Sequence, residues 1–238
     1  MIESNTPFYH LIIDNFFEQE MAEKLSDEFI DYNDERWFYY NNVIENKKTL
    51  NDWRFLPKHI YQAFTQFCSD EFVKKLQDMT GIEKLYPDYG LHGGGCHMHG
   101  KNGKLNIHRD YSIHPKLGLE RKLNLIVYLS KDWDTSWGGG LELWSHDDKN
   151  NQPKEKVKEV ECVFNRAVLF DTTQNSWHGL PEPLRCPDSV YRKSLAMYYM
   201  TNPSIDVDPR QRALFAPTEN QKNDVEVQKF IEERTKLS

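Results

Sequence analysis

Long apolar runs are missing from this chain. No stretch approaches the roughly 20 apolar residues that a membrane helix needs. The opening, Met-Ile-Glu-Ser-Asn-Thr-Pro, has neither the basic start nor the apolar run of a secretory leader. These absences lead us to expect a soluble, cytoplasmic protein with no membrane partner. Patterned cysteine is missing too. Cys68, Cys96, Cys162 and Cys186 are scattered, with no C-x-x-C pair. That spacing excludes a zinc ribbon or a disulfide framework and predicts buried, reduced thiols. Positive charge is in deficit: 30 Lys and Arg stand against 37 Asp and Glu, a net charge of −7. Grip on a nucleic-acid backbone calls for a basic surface, so no nucleic-acid partner is expected. No internal repeat or low-complexity segment interrupts the chain.

What is present suits one large domain. The 238 residues are 38% hydrophobic and 13% aromatic, enough to bury a sizeable core. The pattern divides into a helical N-terminal support region over 1–90, a β core over 91–201, and a tail with a charged helical end over 202–238. A short strand is expected over 8–17. Apolar residues at helical spacing predict a helix over 18–32 and a second over 58–79 that Gly81 ends. The aromatic stretch 37–56 between them reads as irregular structure, a candidate lid or substrate wall. From residue 91 onward the periodicity changes. Short β-like runs cover 105–111, 123–129, 141–144, 157–163, 167–170 and 194–200. Polar or glycine-rich turns separate several of them. Such a series indicates a sandwich or barrel with the helices packed outside.

The central chemical signal is His108-Arg109-Asp110. Alternate residues of a strand share a face, so His108 and Asp110 point together while Arg109 points away. A third ligand must come from a distant strand, and His178 follows the run 167–170. Two imidazoles and one carboxylate leave positions open on an octahedral metal, as in non-haem iron(II) sites. His-x-Asp alone has little specificity. A second copy, His146-Asp147-Asp148, sits in a polar turn-like run and lacks strand context on its far side. Arg192, at the mouth of the run 194–200, suits bidentate pairing with a carboxylate.

These pieces, in order, resemble the 2-oxoglutarate and Fe(II)-dependent oxygenases, and within them the prolyl 4-hydroxylase-like group. The matching segments are His108-Arg109-Asp110, Arg121 to Trp133, Gly139 to Leu143, Phe164 to Phe170, His178-Gly179 and Arg192 to Tyr199. The resemblance implies a double-stranded β-helix, or jelly-roll, core. It implies iron(II) held by His108, Asp110 and His178. It assigns the distal carboxylate of 2-oxoglutarate to Arg192 and Tyr128, with Asn124 and Tyr198 lining the same pocket. It further implies a dioxygenase that consumes O2, hydroxylates an unactivated carbon and releases succinate and CO2, with ascorbate as reductant.

The chain also departs from that group. Where a tyrosine is usual on the strand before His-x-Asp, this chain reads Cys96-His97-Met98-His99, which reads as loop or pocket-lining histidines. Arg192 lies further from His178 than usual, with 181–187 as a loop insertion. The expected substrate is a peptidyl proline or another amino-acid side chain in a peptide or protein. A small metabolite fits the same mechanism. Residues 111–120 are a second candidate substrate wall. The rivals are a cupin-like metal protein without 2-oxoglutarate, a non-catalytic jelly-roll binding module, and a nucleic-acid demethylase. The last is disfavoured because Tyr198 and Tyr199 occupy the stretch where such enzymes carry a second arginine.

Overall fold

A computed structural model describes residues 1–172 and 175–236; the last two residues of the tail expected over 202–238 lie outside that range. The N-terminal region contains β1 (Ile2–Ser4), β2 (His10–Ile13), α1 (Gln19–Asp27), β3 (Phe38–Asn41) and β4 (Glu45–Leu50). It continues through α2 (Lys58–Phe67) and α3 (Asp70–Thr80). Then come β5 (Tyr86–Pro87), β6 (Gly95–His99), β7 (Lys104–Arg109), β8 (Glu120–Tyr128), β9 (Leu141–Asp147) and β10 (Gln152–Val160). The chain closes with β11 (Ala167–Asp171), β12 (Trp177–Leu180), β13 (Arg192–Thr201), β14 (Leu214–Phe215) and α4 (Val225–Thr235).

The strands form one curled antiparallel sheet in the order β1-β2-β11-β8-β13-β6-β4-β7-β12-β9-β10. Alternation along β8 and β13 explains its two faces. Leu123, Leu125 and Val127 of β8, with Leu195, Met197 and Tyr199 of β13, join Ile60, Phe64, Phe67, Val73 and Leu76 of the helices in one buried cluster. The intervening residues face the inside of the curl. The helices therefore cover the outer face, as the periodicity predicts. Burial of this apolar area stabilises the fold by roughly 25 cal/mol per Å². The Tyr199 hydroxyl adds a bond, donating to the Phe67 carbonyl at 3.0 Å.

Several elements differ from the sequence expectation. The helix expected over 58–79 is two helices. Ser69 interrupts it, and its hydroxyl accepts from the Phe72 amide at 3.2 Å, capping α3. Gly81 does end α3, in a left-handed conformation at φ 70°. The strand expected over 8–17 shortens to β2, and the helix over 18–32 to α1.

The largest correction concerns 37–56. This stretch is the β3–β4 hairpin followed by a 3-10 turn at Trp53–Phe55, and β4 is inserted between β6 and β7. Its polar sequence, Glu-Asn-Lys-Lys-Thr-Leu, concealed it, because its inward residues face a polar cavity rather than an apolar core. β6, β12 and β14 were also unanticipated. The segment expected only as a tail supplies β14, which pairs with β7.

Candidate metal centre and carboxylate pocket

β7 and β12 are antiparallel neighbours, and their register sets His108 directly opposite His178. The imidazole centroids are 4.4 Å apart. Asp110 lies one residue past the end of β7 and still turns inward. Its Oδ1 is 3.6 Å from His108 Nε2, and its Oδ2 is 3.7 Å from His178 Nε2. One ligand atom from each residue lies within 4.8 Å of the others. Among the described residues no other such group occurs. The His146 copy is engaged elsewhere: its Nδ1 accepts from the Trp177 indole at 2.9 Å, and Asp148 beside it is 94% exposed.

Backbone carbonyls set the state of both imidazoles. His108 Nδ1 is 2.9 Å from the Asn106 carbonyl, and His178 Nδ1 is 2.8 Å from the Ser176 carbonyl. A carbonyl only accepts, so each Nδ1 carries a proton, and Nε2 is the ring nitrogen that each imidazole turns toward Asp110. Metal-ligating histidines are oriented by such bonds. Burial pushes His178 down to about 4; the neighbouring His108 adds to this, and Asp110 opposes it. Burial raises the Asp110 carboxyl, but Arg121 foremost, then His178 and His108, hold it well below the usual carboxylate range. At neutral pH the group is therefore a neutral imidazole at 178 beside a carboxylate. That donor set suits a divalent first-row metal. Asp110 Oδ2 is buried without a hydrogen-bond partner, as a donor atom awaiting a cation would be.

The surroundings hold the three in place. Phe215 of β14 stacks on His108 with centroids 5.2 Å apart, and Phe170 meets His178 edge-on at 4.8 Å. Arg210 donates to the Asp110 carbonyl at 2.7 Å. Arg109 points to the opposite face, its guanidinium 4.9 Å from the Trp177 ring.

A cavity of about 590 Å³ opens beside the triad. Arg192, Asn124 and Tyr198 line it, with His97 and His99 of β6. The register explains the grouping: β13 sets Arg192 beside His99, Ser194 between His97 and Tyr128, and Tyr198 beside Asn124. Arg192 is 3% exposed, and its Nε donates to the Gly139 carbonyl at 2.7 Å. Its guanidinium carbon sits 4.9 Å from the centre of the Tyr128 ring. Tyr128 shares the inward face of β8 but lies behind the cavity wall. Its hydroxyl and the Asn124 Oδ1 are both buried without a partner. Burial raises Tyr128 to about 12 even though Arg192 opposes the shift, so it is a donor at neutral pH. A buried arginine beside a protonated phenol is a receptor for a carboxylate.

Sequence reasoning missed several contributors. Arg121 pairs with Asp110 at 2.9 Å, and Lys47 lines the cavity from the unanticipated β4. Phe215 and Arg210 come from the tail. The one sequence signal was Arg121 itself, a cation opening a strand whose alternate residues are buried.

The architecture and the site can be set beside known proteins. The sequence model described as the 2OG-Fe(II) oxygenase superfamily matches residues 94–200. Over those residues the β core of this chain is similar to the 2OG-Fe(II) oxygenase superfamily. Mouse prolyl 3-hydroxylase OGFOD1 is 29% identical over 186 residues, covering 75% of this chain. The chain spans only 30% of that protein's length. A Trichoplax adhaerens prolyl hydroxylase, solved with a hypoxia inducible factor peptide, superposes with a TM-score of 0.56. It is 17% identical, and the match covers 80% of this chain and 83% of that one. HygX from Streptomyces hygroscopicus, solved with nickel and 2-oxoglutarate, gives a TM-score of 0.54 at 15% identity, covering 81% of this chain and 82% of its own. These likenesses confirm the double-stranded β-helix expected for this core. No helix among the described residues is long and apolar enough to cross a membrane.

Proposed function

We propose that this chain is an Fe(II)- and 2-oxoglutarate-dependent dioxygenase that hydroxylates peptidyl proline or another amino-acid side chain, releasing succinate and CO2. One observation carries the reading: an inward-facing His108, Asp110 and His178 group shares a cavity with the buried Arg192. A cupin-like metal protein without 2-oxoglutarate has no need of that arginine, and a binding module has no need of the triad.

Each residue has a distinct task. His108, Asp110 and His178 would hold iron(II), with Nε2 of each imidazole and a carboxylate oxygen as donors. Arg192 would grip the distal carboxylate of 2-oxoglutarate, with Tyr128 donating from behind it. Asn124 and Tyr198 would flank the same co-substrate. Bound iron, with 2-oxoglutarate and dioxygen, supplies the oxidising power that no side chain has. The chain's own residues fix orientation and exclude water. The helices of region 1–90 support the barrel from outside while its β2 and β4 join the sheet, and 202–238 adds β14 beside β7, so the chain works as one oxygenase unit. Ascorbate is the proposed reductant and the cytoplasm the proposed setting. A peptide substrate is supported by the mouse relative's name and by the peptide in the Trichoplax structure.

The test is a succinate-release screen with iron(II), 2-oxoglutarate and panels of proline peptides, other peptides and small metabolites. Mass spectrometry would locate the added oxygen. We expect turnover that needs both iron and 2-oxoglutarate, and none in His178→Ala, which should melt as the parent does. Iron-independent turnover, or full activity in that variant, would refute the reading.

A further inference from the structure

The two oxygens of Asp110 are not equivalent. Arg121 Nη1 is 2.9 Å from Oδ1. Oδ2 is buried, has no hydrogen-bond partner, and faces His178 Nε2 at 3.7 Å. Arg121 is itself immobilised. It is 2% exposed, with Tyr111 and Tyr198 rings against its guanidinium at 3.8 Å and 3.3 Å. Its Nη2 donates to the His92 carbonyl at 3.3 Å. A planar cation held between two rings cannot swing away from the carboxylate.

We propose that Arg121 is a positioning residue that keeps Asp110 a one-oxygen metal ligand, with Oδ2 as the donor, so that the co-substrate's positions on the metal stay open. The inference rests on the triad reading above. A carboxylate can bind a cation through one oxygen or two. A second bond from Asp110 would take one of the positions that a triad leaves free. With Oδ1 paired to the guanidinium, which draws on its charge and repels a cation there, the unpartnered Oδ2 is the stronger donor. The strands alone do not impose this, because Asp110 lies beyond the end of β7.

The test uses the whole chain and manganese(II) as a redox-inert probe. Calorimetry measures Mn(II) affinity first, then 2-oxoglutarate affinity for the Mn(II)-loaded protein. In Arg121→Gln the freed carboxylate should chelate through both oxygens, and a repelling cation is gone. Mn(II) should bind at least as tightly as in the parent, while 2-oxoglutarate binding weakens about tenfold or more, within the range seen when groups behind a metal ligand are changed. Arg121→Lys restores a cation and should recover most of the loss. Weaker Mn(II) binding, or unchanged 2-oxoglutarate binding in Arg121→Gln, overturns the proposal. If Arg121→Gln shows no cooperative melt, Arg121→Met, which keeps the stem between the rings, is read instead. Failure of both to fold assigns Arg121 to the core and also overturns it. If the parent itself binds no Mn(II), the triad reading falls, a result distinct from every variant outcome.

Discussion

Two backbone carbonyls, those of Asn106 and Ser176, decide which nitrogen each central histidine presents. At this scale the sequence was informative wherever alternation acts. His-x-Asp showed its geometry because strand periodicity puts both side chains inside. The Arg121 to Asp110 pair left no local trace, since it is created by strands meeting in space. Arg192 has the clearest single-residue consequence. Arg192→Ala should weaken 2-oxoglutarate binding by roughly 1.5–3 kcal/mol, the range for hydrogen bonds to charged groups. Calorimetry on the Mn(II)-loaded protein measures it, and an unchanged constant removes Arg192 from the pocket's function. His97 makes a different prediction. Burial, reinforced by Lys47 and Arg192, pushes it down to about 3. Its folded value lies below the ordinary value of about 6.5, so the unfolded chain takes up the proton first. The stability tied to neutral His97 is complete above about pH 6.5 and is lost as pH falls toward about 3. Melting temperature should fall across that window, and less steeply in His97→Gln. An identical acid limb in both proteins would contradict the assignment.

The elements that build the site are β7 and β12, and their close approach depends on glycine. A Cβ at Gly179 would lie 2.8 Å from both the Leu105 and Asn106 carbonyls. Gly179→Ala must therefore push β12 off β7 and part His178 from His108. Overpacking of this kind costs roughly 1–3 kcal/mol. Denaturant unfolding should register that loss, together with weaker Mn(II) binding. A variant of parental stability and affinity would show that the register tolerates the shift. Element recognition succeeded where one face of a segment is apolar, as for β8, β11, β13 and the helices. It failed for β4 and β6, whose inward residues Lys47, Thr49, His97 and His99 are polar because they face the cavity. It also failed at Ser69, where a single cap residue splits what periodicity joins.

For the molecule as a whole, the net charge and the charge around the cavity have opposite signs. The chain is acidic, at −7. Yet the cavity wall holds Lys47, Arg121, Arg192, Arg212 and Arg234 against Glu45 and Asp110. That local excess favours a dicarboxylate guest over the net field of the protein. Composition could not reveal it, because the cations come from separate parts of the chain that only the curled sheet brings together. Strand periodicity made a sandwich or barrel legible, and the resemblance carried by six ordered segments implied the double-stranded β-helix. The contribution of the C-terminal segment was not, because two residues of β14 are too few to set a period.

The most direct measurement of the central claim is an anaerobic titration of 2-oxoglutarate into the Fe(II)-loaded chain, followed by visible absorption. Direct chelation of the ferrous ion by the keto acid should produce a saturable charge-transfer band, absent without iron and lost in His108→Ala and His178→Ala. No band in the parent protein, or an undiminished band in either variant, would mean that these three side chains do not present an open metal to the co-substrate.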